Sequence, residues 1–120
     1  MEKIIPAEKF AKFSELWTPK IVAGLNDSYI KFVKIKGEFV WHKHDNEDEM
    51  FFVYKGLLTL EFRDGSQTLE PGDFLVVPRG VEHRPVCAGE AHLMVIEPKT
   101  TLNTGDAVDS DYTVAEPEWI

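Results

Sequence analysis

Hydrophobic and polar residues alternate along this chain over short stretches, and turn-forming residues interrupt them at close intervals. Leu58, Leu60 and Phe62 alternate with Thr59, Glu61 and Arg63, the period of a strand with one buried face. Phe74–Val77 and Leu93–Ile96 are unbroken apolar runs of strand length and read as buried strands. Lys20–Leu25 and Tyr29–Lys36 flank the turn-forming trio Asn26-Asp27-Ser28, which predicts a hairpin, with Ile30 and Phe32 alternating with Lys31. Turn signals recur at Asp45-Asn46, Lys55-Gly56, Asp64-Gly65, Pro71-Gly72, Pro78-Arg79-Gly80 and Ala88-Gly89-Glu90. Many short strands joined by tight turns predict an all-β sandwich or barrel.

The ends differ from the middle. Phe10, Phe13, Leu16 and Trp17 stand at helix-like spacing within Ala7–Trp17, but Thr18-Pro19 stops a helix there, so one or two helical turns are expected. After Glu97-Pro98 the chain turns polar and then acidic, which predicts a surface wrap, loosely held except where Tyr112 or Trp119 finds a pocket. The whole reads as a single domain over residues 1–120, with an N-terminal extension over 1–19 and a C-terminal tail from about residue 98.

Composition narrows the partners. The chain carries 21 Asp and Glu against 13 Lys and Arg, so its net charge of −8 repels nucleic acid over most of the surface. No run of 18 apolar residues is present to span a membrane, and Met1-Glu2-Lys3-Ile4-Ile5-Pro6 does not resemble the start of a signal peptide. A lone cysteine, Cys87, allows neither an internal disulfide nor a cysteine-rich zinc site. It reads as a small buried residue, and the compartment implied is a reducing cytoplasm.

Candidate chemistry gathers around three of the four histidines. In a strand, residues two apart share a face, so His42 and His44 present two imidazoles together while Trp41 and Lys43 point away. Glu49 opens the next apolar run after a polar turn, and an antiparallel return brings its carboxylate back beside them. His83 follows Pro78-Arg79-Gly80 and supplies a third imidazole from another strand. His92, in line with Met94 and Ile96, reads instead as a core histidine. Phe51, Phe52, Tyr54, Phe62 and Phe74 read as core. Glu38, on the same strand face as His42, and Arg79, in the turn before His83, are candidates for contact with a substrate.

Together the two histidine clusters resemble the paired motifs of the cupin superfamily. Gly37, His42, His44, Glu49 and Gly56 fill the first motif, with four residues between Gly37 and His42 where five are usual. Gly72, Pro78, Gly80 and His83 fill the second, and Cys87 stands where the family often has Asn. The motifs cover about residues 37–87. The resemblance implies a cupin jelly-roll β-barrel holding one divalent transition metal (Mn, Fe, Ni, Co or Zn) through His42, His44, Glu49 and His83. It further implies a metal-dependent enzyme acting on a small organic molecule, with a dioxygenase slightly ahead of a sugar-type isomerase. The alternative is a non-catalytic, metal-stabilised module that binds or senses a small molecule, and a purely structural metal is a third reading. Phe39 and Trp41, placed opposite the histidines, would offer apolar surface for a homodimer, an assembly found in many cupins.

Overall fold

The computed structural model describes residues 1–120, and its organising element is a long strand that pairs with three others. In chain order the elements are α1 (Pro6–Phe10), β1 (Lys20–Leu25), β2 (Ser28–Glu38), β3 (Glu49–Lys55), β4 (Leu58–Phe62), β5 (Gly65–Leu69), β6 (Phe74–Val77), β7 (His83–Pro98) and β8 (Glu118–Trp119). β2 runs antiparallel along one edge of β7, from Ser28 opposite Pro98 to Glu38 opposite Val86. The other edge is shared: β4 pairs with His83–Val86 and β3 with His92–Ile96. β5 extends β4, β6 extends β3, and β1 extends β2. Every pairing is antiparallel except the short one between β1 and β8. The sheet curls into a jelly-roll barrel, as the cupin resemblance implies, although hydrogen bonds do not close it. No helix is long and apolar enough to cross a membrane.

Alternation along the strands sorts the side chains into an inner and an outer set. Val33 and Ile35 of β2, Phe51 and Val53 of β3, Leu58 and Leu60 of β4, and Leu93 and Val95 of β7 fill the barrel, joined by Trp17 and Phe39. A second, smaller cluster lies outside it, where Phe10 and Phe13 cover Val22 and Phe32. The Phe10 ring stacks on Phe32 at 4.6 Å between centroids. This cover makes β2 apolar on both faces, so its alternation cannot show which face is inner. The sequence pattern put Lys31 opposite the apolar face, yet Lys31, Val33 and Ile35 point inward, while Ile30 and Phe32 point outward under the N-terminal segment.

Several sequence-based expectations are corrected for related reasons. Ala88-Gly89-Glu90 is no turn: β7 runs through it and bulges, leaving Ala88 and Gly89 without partners between the pairs Lys36–Glu90 and Gly37–Cys87. Phe74–Val77 is not fully buried but alternates, with Phe74 64% and Val76 50% exposed. Tyr54 is likewise exposed, and Phe52 and Phe62 are only half-buried, so Phe51 alone of the five aromatics is fully core. The N-terminal helix, by contrast, is the one short helical segment expected: it spans Pro6–Phe10, and the chain then bridges Leu16 to Lys34 of β2.

The C-terminal tail is held more firmly than its composition suggests. Thr104 is wholly buried, its hydroxyl 2.7 Å from that of Thr113, and Tyr112 packs against Phe39 and Trp17. β8 then adds a parallel pairing to β1, and Trp119 meets Tyr29 edge-on.

Candidate metal centre

His42 and His44 do not lie in a regular strand, because β2 ends at Glu38. Their segment is held by specific bonds instead. The His42 and His83 backbones exchange a pair of hydrogen bonds, His42 N–H to His83 O at 3.1 Å and His83 N–H to His42 O at 2.9 Å. Gly80 N–H donates to His44 O at 2.8 Å. On the opposite side the tail grips Lys43: its N–H donates to Asp106 Oδ1 at 2.8 Å, and Asp106 N–H donates back to Lys43 O at 3.1 Å. With Lys43 pinned outward, both imidazoles turn into the barrel. β3 and β7 supply Glu49 and His83 from their first residues.

All four side chains are buried, and one donor atom from each lies within 4.8 Å of the others. Backbone carbonyls set two of the tautomers. Val40 O lies 2.9 Å from His42 Nδ1 and Val81 O lies 2.9 Å from His83 Nδ1, and a carbonyl can only accept, so both Nδ1 atoms carry hydrogen and the neutral rings keep a lone pair on Nε2. His83 Nε2 and His44 Nε2 stand 3.2 and 3.4 Å from Glu49 Oε1. Neither His44 nitrogen makes a well-formed hydrogen bond, and in the neutral His83 ring Nε2 is an acceptor facing the Glu49 acceptor. A proton or a cation must lie between them. Three imidazoles and one carboxylate form a donor set that fits a divalent transition metal.

The cupin domain family matches residues 31–98, a stretch that contains all four side chains. This chain belongs to the cupin family. Among solved structures it is similar to a cupin-2 domain containing protein from Shewanella frigidimarina NCIMB 400, at 45% identity and a TM-score of 0.79, covering 80% of this chain and 94% of that one. It is 35% identical over 78 residues to the uncharacterized protein YdbB of Bacillus subtilis (strain 168), covering 64% of this chain and 63% of that protein. It is 38% identical over 68 residues to acireductone dioxygenase 1 of Coprinopsis cinerea, covering 52% of this chain and 36% of the dioxygenase. The chain therefore spans less than two thirds of the length of these two curated relatives.

In this cupin the cluster borders an inner cleft. The walls are mostly apolar, among them Trp17, Val33, Ile35, Phe39, Phe51 and Leu93, and His42 and Glu49 reach its surface. Phe39 is thus an inner residue, corrected from the outer face: it stacks on Trp17 at 4.9 Å and meets the His42 ring edge-on at 5.3 Å. The chain leaves regular strand geometry after Glu38, so counting by twos from His42 fails there. Trp41 is half-buried, its ring covered by the Arg63 guanidinium at 3.9 Å.

Two candidate contact residues lie away from the cluster. Glu38 is exposed and pairs with Arg84 at 3.3 Å, and Arg79 is exposed and pairs with Asp48. His92 is on the outer face with Met94, not in the barrel core, stacked on Phe10 and bonded to Glu90 at 2.8 Å. Cys87 is buried, and burial pushes its thiol up, away from nucleophilic character. Sequence reasoning missed Lys31 and Glu97, both in the cleft and both buried. The available signal was a pair of opposite charges, each set within a strongly apolar strand.

Burial and the neighbouring His83 press the His42 imidazole down to about 4. Burial also opposes charge on His44, but the facing Glu49 carboxylate outweighs it, so His44 is raised. Burial disfavours the Glu49 anion too, yet its contacts with Glu97, His44 and His83 hold its carboxyl well below the usual range. A bound ion requires both rings unprotonated, so protons compete with it as pH falls. Loss of metal affinity should begin above the ordinary histidine value of about 6.5, through His44, and continue towards about 4, where His42 takes up its proton. Metal titrations at stepped pH check this. An affinity that stayed flat from pH 8 to 5 would contradict it.

Proposed function

We propose that His42, His44, Glu49 and His83 hold one divalent transition metal, and that this cupin is an enzyme acting on a small organic molecule, with dioxygenase chemistry ahead of isomerisation. The observation that carries the reading is the convergence of four buried donors, two of them at the surface of an apolar cleft. The likeness to a dioxygenase over 68 residues supports oxygen chemistry. When bound, the metal supplies a Lewis acid and template for a ligand's paired oxygens. The protein supplies the rest. Val40 O and Val81 O hold the His42 and His83 tautomers, Glu49 supplies the negative donor, and Phe39, Phe51 and Leu93 exclude water around the guest.

Metals suited to mixed nitrogen and oxygen donors, other than zinc, commonly take six ligands, so four protein donors leave two positions for a guest. Protein loaded with Mn²⁺ or Co²⁺ and titrated with small 2-oxo and 2-hydroxy acids should show a saturable change in the metal's spectrum or in water relaxation. Fe²⁺-loaded protein supplied with enediols should consume oxygen. A four-coordinate spectrum unmoved by any such ligand would leave only a structural metal, and ligand binding without turnover would favour a binding module.

We also infer a homodimer, through a surface other than the one the sequence suggested. Phe39 is internal, whereas Phe74 and Val76 on β6 are exposed beside half-buried Phe52 and Met50 on β3, and β6 has no strand beyond it. A second copy placed against this face covers apolar surface and an open sheet edge together. Light scattering should give a dimer mass for the native chain and a monomer mass for Phe74→Glu. A native monomer at micromolar concentration would overturn this assembly.

A further inference from the structure

Behind Glu49 the barrel holds a buried ion pair. Lys31 Nζ donates to Glu97 Oε1 at 2.9 Å, and both side chains are 2% exposed. Such a pair is seldom worth more to stability than apolar residues of the same size, because two charges must be stripped of water. Its position is specific. Met50 of β3 pairs with Ile96 of β7, so the next residues along the antiparallel ladder, Glu49 and Glu97, stand across from each other, and both line the inner cleft. Like charges placed opposite one another in a sheet destabilise it unless something compensates them. Glu97 Oε2 has no donor, although it is fully buried.

We propose that Lys31 and Glu97 are outer members of the metal site, with Glu97 bracing the ligand Glu49 and Lys31 limiting the negative charge presented to the ion. The inference rests on the metal-binding reading above. With a divalent ion on Glu49 and Lys31 on Glu97, both buried carboxylates have a cationic partner. Glu97 adds attraction for the cation and keeps Glu49 in place. Lys31 subtracts attraction and prevents two uncompensated carboxylates from facing each other when no ion is bound. The two substitutions should therefore act on affinity with opposite signs. This separates a role at the metal from a role in packing.

The test is Co²⁺ titration of the full chain, followed by the visible spectrum and by competition with a chelator, with thermal unfolding of the metal-free protein alongside. Glu97→Gln, which keeps shape but cannot ionise, should weaken Co²⁺ binding about tenfold, the usual scale for a residue supporting a metal ligand. Lys31→Met should tighten Co²⁺ binding severalfold while lowering the melting temperature of the metal-free protein, so that added Co²⁺ raises that temperature more than it does in the native chain. If Lys31→Met does not fold without metal, Lys31→Gln gives the same sign with the polar contact retained. Native affinity in both variants would overturn the inference, as would equal weakening in both. A native chain that fails to bind Co²⁺, or binds it unchanged after His83→Ala, would instead overturn the metal reading itself.

Discussion

Replacing His83 with alanine should lower affinity for a divalent transition metal by about a hundredfold, whereas His92→Ala should leave it unchanged. Four-ligand metal sites bind with roughly 10–16 kcal/mol, about 3 kcal/mol per donor, and each 1.4 kcal/mol is a factor of ten. His83 bears on the cluster in two ways. Its Nε2 stands 3.2 Å from Glu49 Oε1, and Val81 O holds the ring in the tautomer that turns a lone pair towards it. His92 sits outside the barrel between Phe10 and Glu90. Chelator competition on both variants, with circular dichroism to establish that each is folded, checks the contrast. Equal losses would mean that His83 is not a ligand.

A single methyl group in the tail should damage the site from a distance. Gly105 has φ +53°, and a Cβ there would stand 2.2 Å from Lys43 O and 3.1 Å from Cδ2 of His42. Neither the backbone carbonyl nor the imidazole can withdraw without moving the His42–His44 segment, because Asp106 grips Lys43 through two hydrogen bonds. Gly105→Ala should therefore cost about 2–4 kcal/mol of stability, from the left-handed backbone and the clash together, and weaken metal binding as well. Gly37→Ala is the control. Its backbone is also left-handed at φ +86°, but a Cβ there meets nothing within 4 Å, so it should cost only about 1–2 kcal/mol and leave metal affinity intact. Urea unfolding and Co²⁺ titration of the two variants measure both effects. A Gly105→Ala protein with native metal affinity would show that the tail does not position the histidines.

How much of this could be read in advance differs from one part of the chain to another. β1 is legible to the residue, from Lys20 to Leu25, since a turn trio bounds it and local chemistry decides turns. The convergence of His42, His44, Glu49 and His83 is legible from motif spacing, which reflects how a short return and a tight turn bring strand ends together. Phe39 is not, because alternation holds only while the backbone stays in a regular strand and β2 ends at Glu38. Lys31 is not either, because β2 is covered on both sides and a pattern of period two then cannot tell inside from outside.

The sequence by itself determined an all-β fold, several of its strands and, through its likeness to the cupin motifs, the four donor side chains that meet, since these follow from local periodicity, turn chemistry or motif spacing. Only the tertiary structure decided which face of β2 enters the barrel, that Glu97 stands across from Glu49, and that Gly105 and Asp106 clamp the His42–His44 segment. These depend on contacts between residues tens of positions apart. Such contacts depend on how the elements cover one another, which no local pattern along the chain encodes.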